Sequence, residues 1–210
     1  MFDGEYIEFN KNRIESIINY YGEGWFKNKK ILELGCGYAD IGYAFYQLGA
    51  ILTVNDAREE HLDIVRKRYP FFKVVKCDLD KDWNFDDYYD FIIHAGILYH
   101  LKNYEQNLIN CFKNCDNMFL EANVSDSNDE NFVFYLSESG YDQSFNGIGS
   151  RPSEKNIEKI IINNGLTFER WFKKELNTEK NIFDWEIKNT KNNRLEPYNL
   201  RRSWFIKKTK

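Results

Sequence analysis

Ile31-Leu32-Glu33-Leu34-Gly35-Cys36-Gly37 decides the reading of this chain. A short apolar strand, interrupted only by Glu33, runs straight into a Gly-x-Gly turn. Glycines there let the backbone turn sharply and approach a ligand closely. Working outward, Ile51 to Val54 reads as a second strand, closed by Asn55-Asp56. Phe71 to Val75 is a third, ending at Cys77-Asp78, and Tyr89 to Ala95 a fourth, ending at His94-Ala95-Gly96. Met118 to Ala122 is a fifth. Helix faces alternate with them: Tyr38, Ile41, Phe45 and Leu48; Leu62, Val65 and Tyr69 within 58–69; Leu108, Cys111, Phe112 and Cys115 along 104–114. Alternation of this kind predicts an α/β fold, with a parallel sheet covered by helices on both faces.

The flanks complete the expectation. Ile14, Ile17, Ile18 and Tyr21 predict an N-terminal helix over about 11–21. Ser153 can cap a helix carrying Ile157, Ile160 and Ile161. Leu166 to Phe172 and Leu200 to Ile206 alternate with period two and predict an antiparallel C-terminal strand pair. The expected architecture is a Rossmann-like, doubly wound, mostly parallel seven-stranded sheet in one domain over 1–210. Two long connections, 124–152 and 173–199, carry aromatics (Phe132, Phe134, Tyr135, Tyr141, Phe145, Trp185) and are expected to be lids over a ligand site. An exposed aromatic surface would serve equally as a homodimer interface.

Composition narrows the classes. With 42% hydrophobic and 17% aromatic residues in 210, the chain can bury a core without disulfide or metal staples. Low proline and glycine exclude collagen-like and most disordered readings. A net charge of −4 gives no push toward nucleic acid or anionic membrane. Cys36, Cys77, Cys111 and Cys115 form no disulfide framework, and Cys111 with Cys115 would need two further ligands to hold zinc. Buried, reduced thiols and no metal are expected. Asp126-Ser127-Asn128-Asp129-Glu130 lacks the glycine and distal glutamate of a calcium loop. The start, Met1-Phe2-Asp3-Gly4, has no signal-peptide pattern, and no apolar run reaches the roughly 20 residues of a membrane span, so a cytoplasmic location is expected.

The strand ends form an ordered set: Glu33, Gly35, Gly37, Asp56 and Asp78. Open parallel sheets bind ligands beyond the carboxyl ends of their strands, and an acid after the second strand can accept both hydroxyls of a ribose. A dinucleotide fingerprint would place a third glycine at Asp40; here the next glycine is Gly42. On these residues the chain resembles the class I S-adenosylmethionine-dependent methyltransferases, over about 30–125. The resemblance implies S-adenosylmethionine as cofactor and S-adenosylhomocysteine as product. It implies that Gly35, Cys36 and Gly37 pass the methionine part, with Glu33 near its amino group. Asp56, with Ala57, would take the ribose; Asp78 and the Leu79 backbone would face the adenine; His94 and Ala95 would lie beside the methionine end.

The reacting end is expected just past strand four, in Gly96-Ile97-Leu98-Tyr99-His100. His100 is the candidate general base, its imidazole having a usable ordinary pKa; the alternative is that it packs the next helix. Tyr99 is a candidate pocket wall, and His61 reads as a surface helix residue. Glu121 and Asn123 end strand five on the ligand side, where Glu121 would orient hydroxyls or act as an alternative base. Arg151, in Gly149-Ser150-Arg151-Pro152-Ser153, is a candidate phosphate grip beside a helix start. In Arg201-Arg202, alternation sends one arginine to each sheet face.

Three functions compete. The first is methyl transfer to a small molecule, above all a hydroxyl of a nucleotide-linked or phosphorylated sugar. Gly96 to Leu101, Gly149 to Ser153 and Arg201 to Phe205 are similar to bacterial methyltransferases of surface-polysaccharide synthesis. The second is transfer-RNA modification, because Leu98-Tyr99-His100 resembles a motif of wobble-uridine alkylating enzymes. The third is a non-catalytic cofactor-binding partner subunit.

Overall fold

The computed structural model describes residues 4–81, 83, 85, 87–178, 181–187 and 200–209. Nine strands and five α-helices are found among them. In chain order these are α1 (Gly4–Tyr21), β1 (Lys30–Glu33), α2 (Asp40–Gln47), β2 (Ile51–Asp56), α3 (Glu59–Arg68), β3 (Lys73–Lys76) and β4 (Tyr89–Ala95). Then follow α4 (Tyr104–Asn114), β5 (Cys115–Asn123), β6 (Val133–Ser137), β7 (Ile148–Pro152), α5 (Glu154–Asn163), β8 (Leu166–Arg170) and β9 (Arg201–Lys208).

Seven strands make one sheet in the order β3-β2-β1-β4-β5-β9-β8. The first five run parallel, and β9 lies antiparallel to both β5 and β8. This is the expected Rossmann-like sheet with an antiparallel C-terminal pair. Strand order reverses between β1 and β4, so the connections after them leave in opposite directions and open a crevice at the carboxyl edge.

Period-two alternation divides the core between the two faces. Leu32, Ile92, Leu120 and Trp204 pack with Leu108 and Cys111 of α4 and Ile157 and Ile161 of α5. Their chain neighbours Ile31, Phe91, Phe119 and Phe205 pack on the other side with Ile17 of α1, Phe45 of α2 and Leu62 and Val65 of α3. Strands buried on both faces read as continuous apolar runs for this reason. Truncating Phe91, which is fully buried, to alanine would cost about 3–5 kcal/mol through lost transfer energy and a cavity. Ser153 caps α5 as its position suggests, its Oγ accepting from the Asn156 amide at 3.0 Å.

Three differences from the sequence expectation matter. Helix α1 begins at Gly4, well before residue 11. Connection 124–152 contains an antiparallel ribbon, β6 with β7, pairing Tyr135 with Ser150 and Leu136 with Gly149. No tight turn joins those strands, so no local signal marks the hairpin. The third is His61, which is buried rather than at the surface. Part of the other connection, residues 179–180 and 188–199, lies outside the described residues. Cys36, Cys111 and Cys115 are buried free thiols, while Cys77 is half-buried. No helix among the described residues is long and apolar enough to cross a membrane.

Candidate active site

A cavity of about 700 Å³ opens at the carboxyl edge, over the β1–β4 crevice. Glu33, Gly35, Cys36, Gly37, Asp56, Ala57, Asp78, Leu79, Ala95, Tyr99 and His100 all line it. His94, Glu121, Asn123 and Arg151 do not line it.

The turn after β1 is built from left-handed glycines, Gly35 at φ 57° and Gly37 at φ 53°. A Cβ on Gly35 would meet Ile97 Cδ1 at 2.1 Å. The Gly37 amide donates to Asp56 Oδ2 at 3.1 Å, and the Arg58 amide to Oδ1 at 2.9 Å. Each carboxylate oxygen has two lone pairs, so Asp56 is fixed in place and still able to accept from two hydroxyls. Asn55 explains why a polar residue precedes the acid. Its amide donates to Cys77 O at 3.0 Å, tying the ends of β2 and β3 together.

Glu33 is buried at the base of the cavity. Its Oε2 accepts from the Gly42 amide at 2.9 Å, and a Cβ on Gly42 would stand 2.5 Å from that oxygen. Gly42 is therefore small to admit Glu33. Burial, only partly offset by the Gly42 hydrogen bond, raises the Glu33 carboxyl to about 8.

The loop between β6 and β7 lies over the end of the cavity lined by Asp56 and Asp78. Asn146 Nδ2 donates to Asp78 Oδ1 at 3.1 Å and to Asp80 Oδ2 at 3.0 Å. Arg58 Nη2 donates to Gln143 O at 3.0 Å, and the Tyr141 ring stands edge-on to His61, centroids 4.8 Å apart. His61 Nδ1 in turn lies 3.2 Å from Asp56 Oδ2.

At the other end, the short helical turn Leu98–His100 follows β4. His100 Nδ1 is 2.6 Å from Glu138 Oε2. Glu138 Oε2 also accepts from the Ser144 amide at 2.9 Å, and Oε1 accepts from Arg151 Nη2 at 2.7 Å. Burial opposes a charge on Glu138, but His100 and Arg151 outweigh it and lower the carboxyl to about 2. A carboxylate that stays ionised can only accept. The proton between the pair therefore sits on His100 Nδ1, which leaves Nε2 with its lone pair when the ring is neutral. Glu138 carries no local signal; it reaches His100 across 38 residues of chain.

Arg151 does not form the expected phosphate grip. Its guanidinium is buried, donating to Glu138, to Tyr99 O and to Ser150 O, so it braces the dyad from behind. His94 is a second correction. It lies inside β4, fully buried, with Nε2 2.8 Å from Asn107 Oδ1, and burial pushes its imidazole down to about 4. It packs β4 against α4 and does not reach the cofactor crevice. Glu121 is buried between Arg13 and Arg201, to both of which it is ion-paired. Burial would raise its carboxyl, but the two arginines prevail and lower it, which makes it a poor base. Asn123 is buried at the end of β5, in register with Arg201.

Arg201 and Arg202 do face opposite ways. Arg201 lines the cavity, whereas Arg202 pairs with Glu154 at 2.6 Å on the far side. Arg13 also lines the cavity. Its signal was a charged residue four positions before Ile17, on the buried stripe of α1. Among the described residues no group of three or more His, Cys, Asp or Glu is arranged to hold a metal.

Fold and site together define an α/β protein with an open crevice at a strand-order reversal, the place where such sheets bind ligands. Residues 31–117 match the family model described as a methyltransferase domain. Among solved structures, the chain is similar to the N-terminal domain of EvdMO1 in the presence of SAH and D-fucose. That match has a TM-score of 0.71 at 14% identity, covering 96% of this chain and 83% of that one. It is similar also to magnesium protoporphyrin IX methyltransferase from Synechocystis with bound SAM, at TM-score 0.63 and 12% identity, covering 97% and 81%. A third is an S-adenosylmethionine-dependent methyltransferase from Clostridium acetobutylicum, at TM-score 0.62 and 13% identity, covering 96% and 92%. At such identities the likeness is one of fold. No curated protein sequence matches the chain. The fold is that of the S-adenosylmethionine-dependent methyltransferases, and residues 31–117 match a methyltransferase domain. The cavity fits that cofactor: a glycine turn open to close approach, an anchored carboxylate at the end of β2 able to accept from two hydroxyls, and a carboxylate beyond β3.

Proposed function

We propose that this protein transfers a methyl group to a hydroxyl of a small molecule, a nucleotide-linked or phosphorylated sugar of bacterial surface-polysaccharide synthesis. The observation that carries the hydroxyl reading is His100 at the cavity wall, paired behind it with Glu138. S-adenosylmethionine supplies an already activated methyl group on a sulfonium. The chain must therefore bind, align and deprotonate.

Gly35, Cys36 and Gly37 hold the methionine part, with Glu33 beneath it. Asp56 and Ala57 hold the ribose, and Asp78 and Leu79 the adenine. His100 Nε2 takes the hydroxyl proton as the oxygen attacks, and Glu138 stabilises the imidazolium that results. A base placed in this way contributes about 10²–10⁴-fold. Tyr99 walls the acceptor side, its ring fixed by the Arg151 guanidinium 4.8 Å from its centroid. The described parts of the two long connections, 124–152 and 173–178 with 181–187, act as lids: Tyr141, Phe145 and Asn146 of one and Asn177 and Asn181 of the other line the cavity. Support for a sugar is the fold likeness to the EvdMO1 domain studied with D-fucose.

The test is S-adenosylhomocysteine release with nucleotide-linked sugars in one set and bulk unmodified transfer RNA in another. Turnover with a sugar, lowered about 10²-fold or more in His100→Ala with S-adenosylhomocysteine affinity kept, is expected. Turnover with RNA alone would overturn the acceptor. Unchanged turnover in His100→Ala would remove His100 from catalysis.

A further inference from the structure

We propose that Asn146 and Ser144, in the loop between β6 and β7, are positioning residues for the reaction. They relay binding of the nucleoside to His100 through Glu138, so that the base is held most firmly when the cofactor is in place. This rests on the reading above, in which Asp56 and Asp78 meet the nucleoside and His100 is the base.

The loop, residues 138–147, closes on itself at its neck, where the Glu138 amide donates to Gly147 O at 3.0 Å. One side of it stands on the end of the cavity lined by Asp56 and Asp78. Asn146 Nδ2 donates to Asp78 Oδ1 at 3.1 Å, to Asp78 Oδ2 at 3.2 Å and to Asp80 Oδ2 at 3.0 Å. An amide nitrogen has two N–H groups, so three oxygens share them. An adenine amino group arriving at Asp78 adds a donor and complements Asn146. Arg58 Nη2 donates to Gln143 O at 3.0 Å, while the Arg58 amide holds Asp56 Oδ1 at 2.9 Å. The loop thus stands on the two carboxylates that a nucleoside would engage.

Its aromatic side chains supply the free energy for the coupling. Tyr141 is 48% and Phe145 54% exposed, although both line the cavity. A planar base beside them removes water from these rings and gains their contact. A ligand shifts a conformational equilibrium only through such differential contact.

The other side of the loop holds the partner of the base. Ser144 is buried, and its amide donates to Glu138 Oε2 at 2.9 Å, the oxygen that lies 2.6 Å from His100 Nδ1. A buried amide left unpaired is costly, so Ser144 and Glu138 move together. The other carboxylate oxygen, Oε1, accepts from Arg151 of β7. Arg151 therefore fixes one oxygen from the ribbon, and the loop fixes the other. The loop sets the rotation of the carboxylate and, with it, the His100 tautomer that leaves Nε2 able to take a proton.

The test follows the full chain by NMR, free and with 5′-methylthioadenosine, which carries the nucleoside and lacks the amino-acid part. Two signals are read: hydrogen exchange at the Ser144 amide, and the ring-nitrogen shifts of His100, which report its tautomer. Binding is expected to slow exchange at Ser144 about tenfold and to hold the His100 proton on Nδ1. Asn146→Ala and, at an exposed position, Tyr141→Ala should lose most of both responses when saturated with the ligand. A merely structural role for the loop would not move the tautomer. Exchange at Ser144 unchanged by the ligand overturns the proposal, and that measurement needs no variant. A His100 response kept in full in both variants also overturns it, since the ligand would then act on the ring directly. Failure of 5′-methylthioadenosine to bind overturns it together with the nucleoside placement. Both responses present, with turnover unchanged in His100→Ala, uphold the relay and remove only the base.

Discussion

Glu33→Gln should make the free protein more stable at neutral and alkaline pH, although it alters a residue that lines the cavity. Glu33 is 4% exposed, and burial raises its carboxyl from 4.5 to about 8. The native state thus keeps a proton that the unfolded chain has released, and stability falls as pH rises from 4.5 through 8. At 1.36 kcal/mol per pH unit, integration gives a loss of about 3–4 kcal/mol between pH 5 and pH 8 from this group alone. Glutamine keeps the shape and a carbonyl oxygen for the Gly42 amide, and it has no proton to lose. Urea denaturation of both chains at pH 5, 6, 7 and 8 measures the difference directly. Glu33→Gln should gain on the wild type by about 3 kcal/mol across that window, other groups titrating alike in both. Parallel stability curves would refute the reasoning, since they would mean that Glu33 ionises in the folded protein as it does in the open chain. A cofactor ammonium beside Glu33 would reverse the effect of burial. Binding of S-adenosylhomocysteine near pH 7 should therefore release a proton in the wild type and not in the variant, read by calorimetry in buffers of different ionisation enthalpy.

Two further outcomes follow from the geometry. Gly35→Ala places a Cβ at φ 57°, 2.1 Å from Ile97 Cδ1. It should cost about 1–2 kcal/mol in thermal unfolding and weaken S-adenosylhomocysteine by roughly tenfold, measured by calorimetry. Glu138→Gln removes the charge that holds His100. The pull of His100 and Arg151 takes the carboxyl from 4.5 to about 2, about 3 kcal/mol net, and half of that is roughly tenfold in rate. Steady-state kinetics should show kcat down by about tenfold or more with KM and S-adenosylhomocysteine affinity held within twofold; a change confined to KM would show that Glu138 shapes the pocket instead.

Strand ends were the legible part of the site. Gly35, Gly37, Asp56 and Asp78 each follow a strand that its own apolar run announces, and a parallel sheet brings such ends together at one edge. The seven-stranded sheet was legible for the same reason: β-branched and aromatic runs alternate with helical faces, and both periods are local properties. Where local pattern and burial agreed, as at Ile31 and Ile93, the assignment needed no tertiary knowledge.

What the sequence by itself determined is therefore the fold, the cofactor class and one candidate base. The tertiary structure decided the rest, because it depends on contacts between residues far apart in the chain. Glu138 meets His100 only because β6 pairs with β7 and folds back over the turn after β4. Arg151 and His94 are withdrawn from the cavity by partners, Glu138 and Asn107, that no spacing rule connects to them. Arg13 and Arg201 stand at opposite ends of the sequence, yet Glu121 joins them in one buried cluster. Electrostatic attraction across a sheet edge depends on distance in space, and the order of residues along the chain does not encode it.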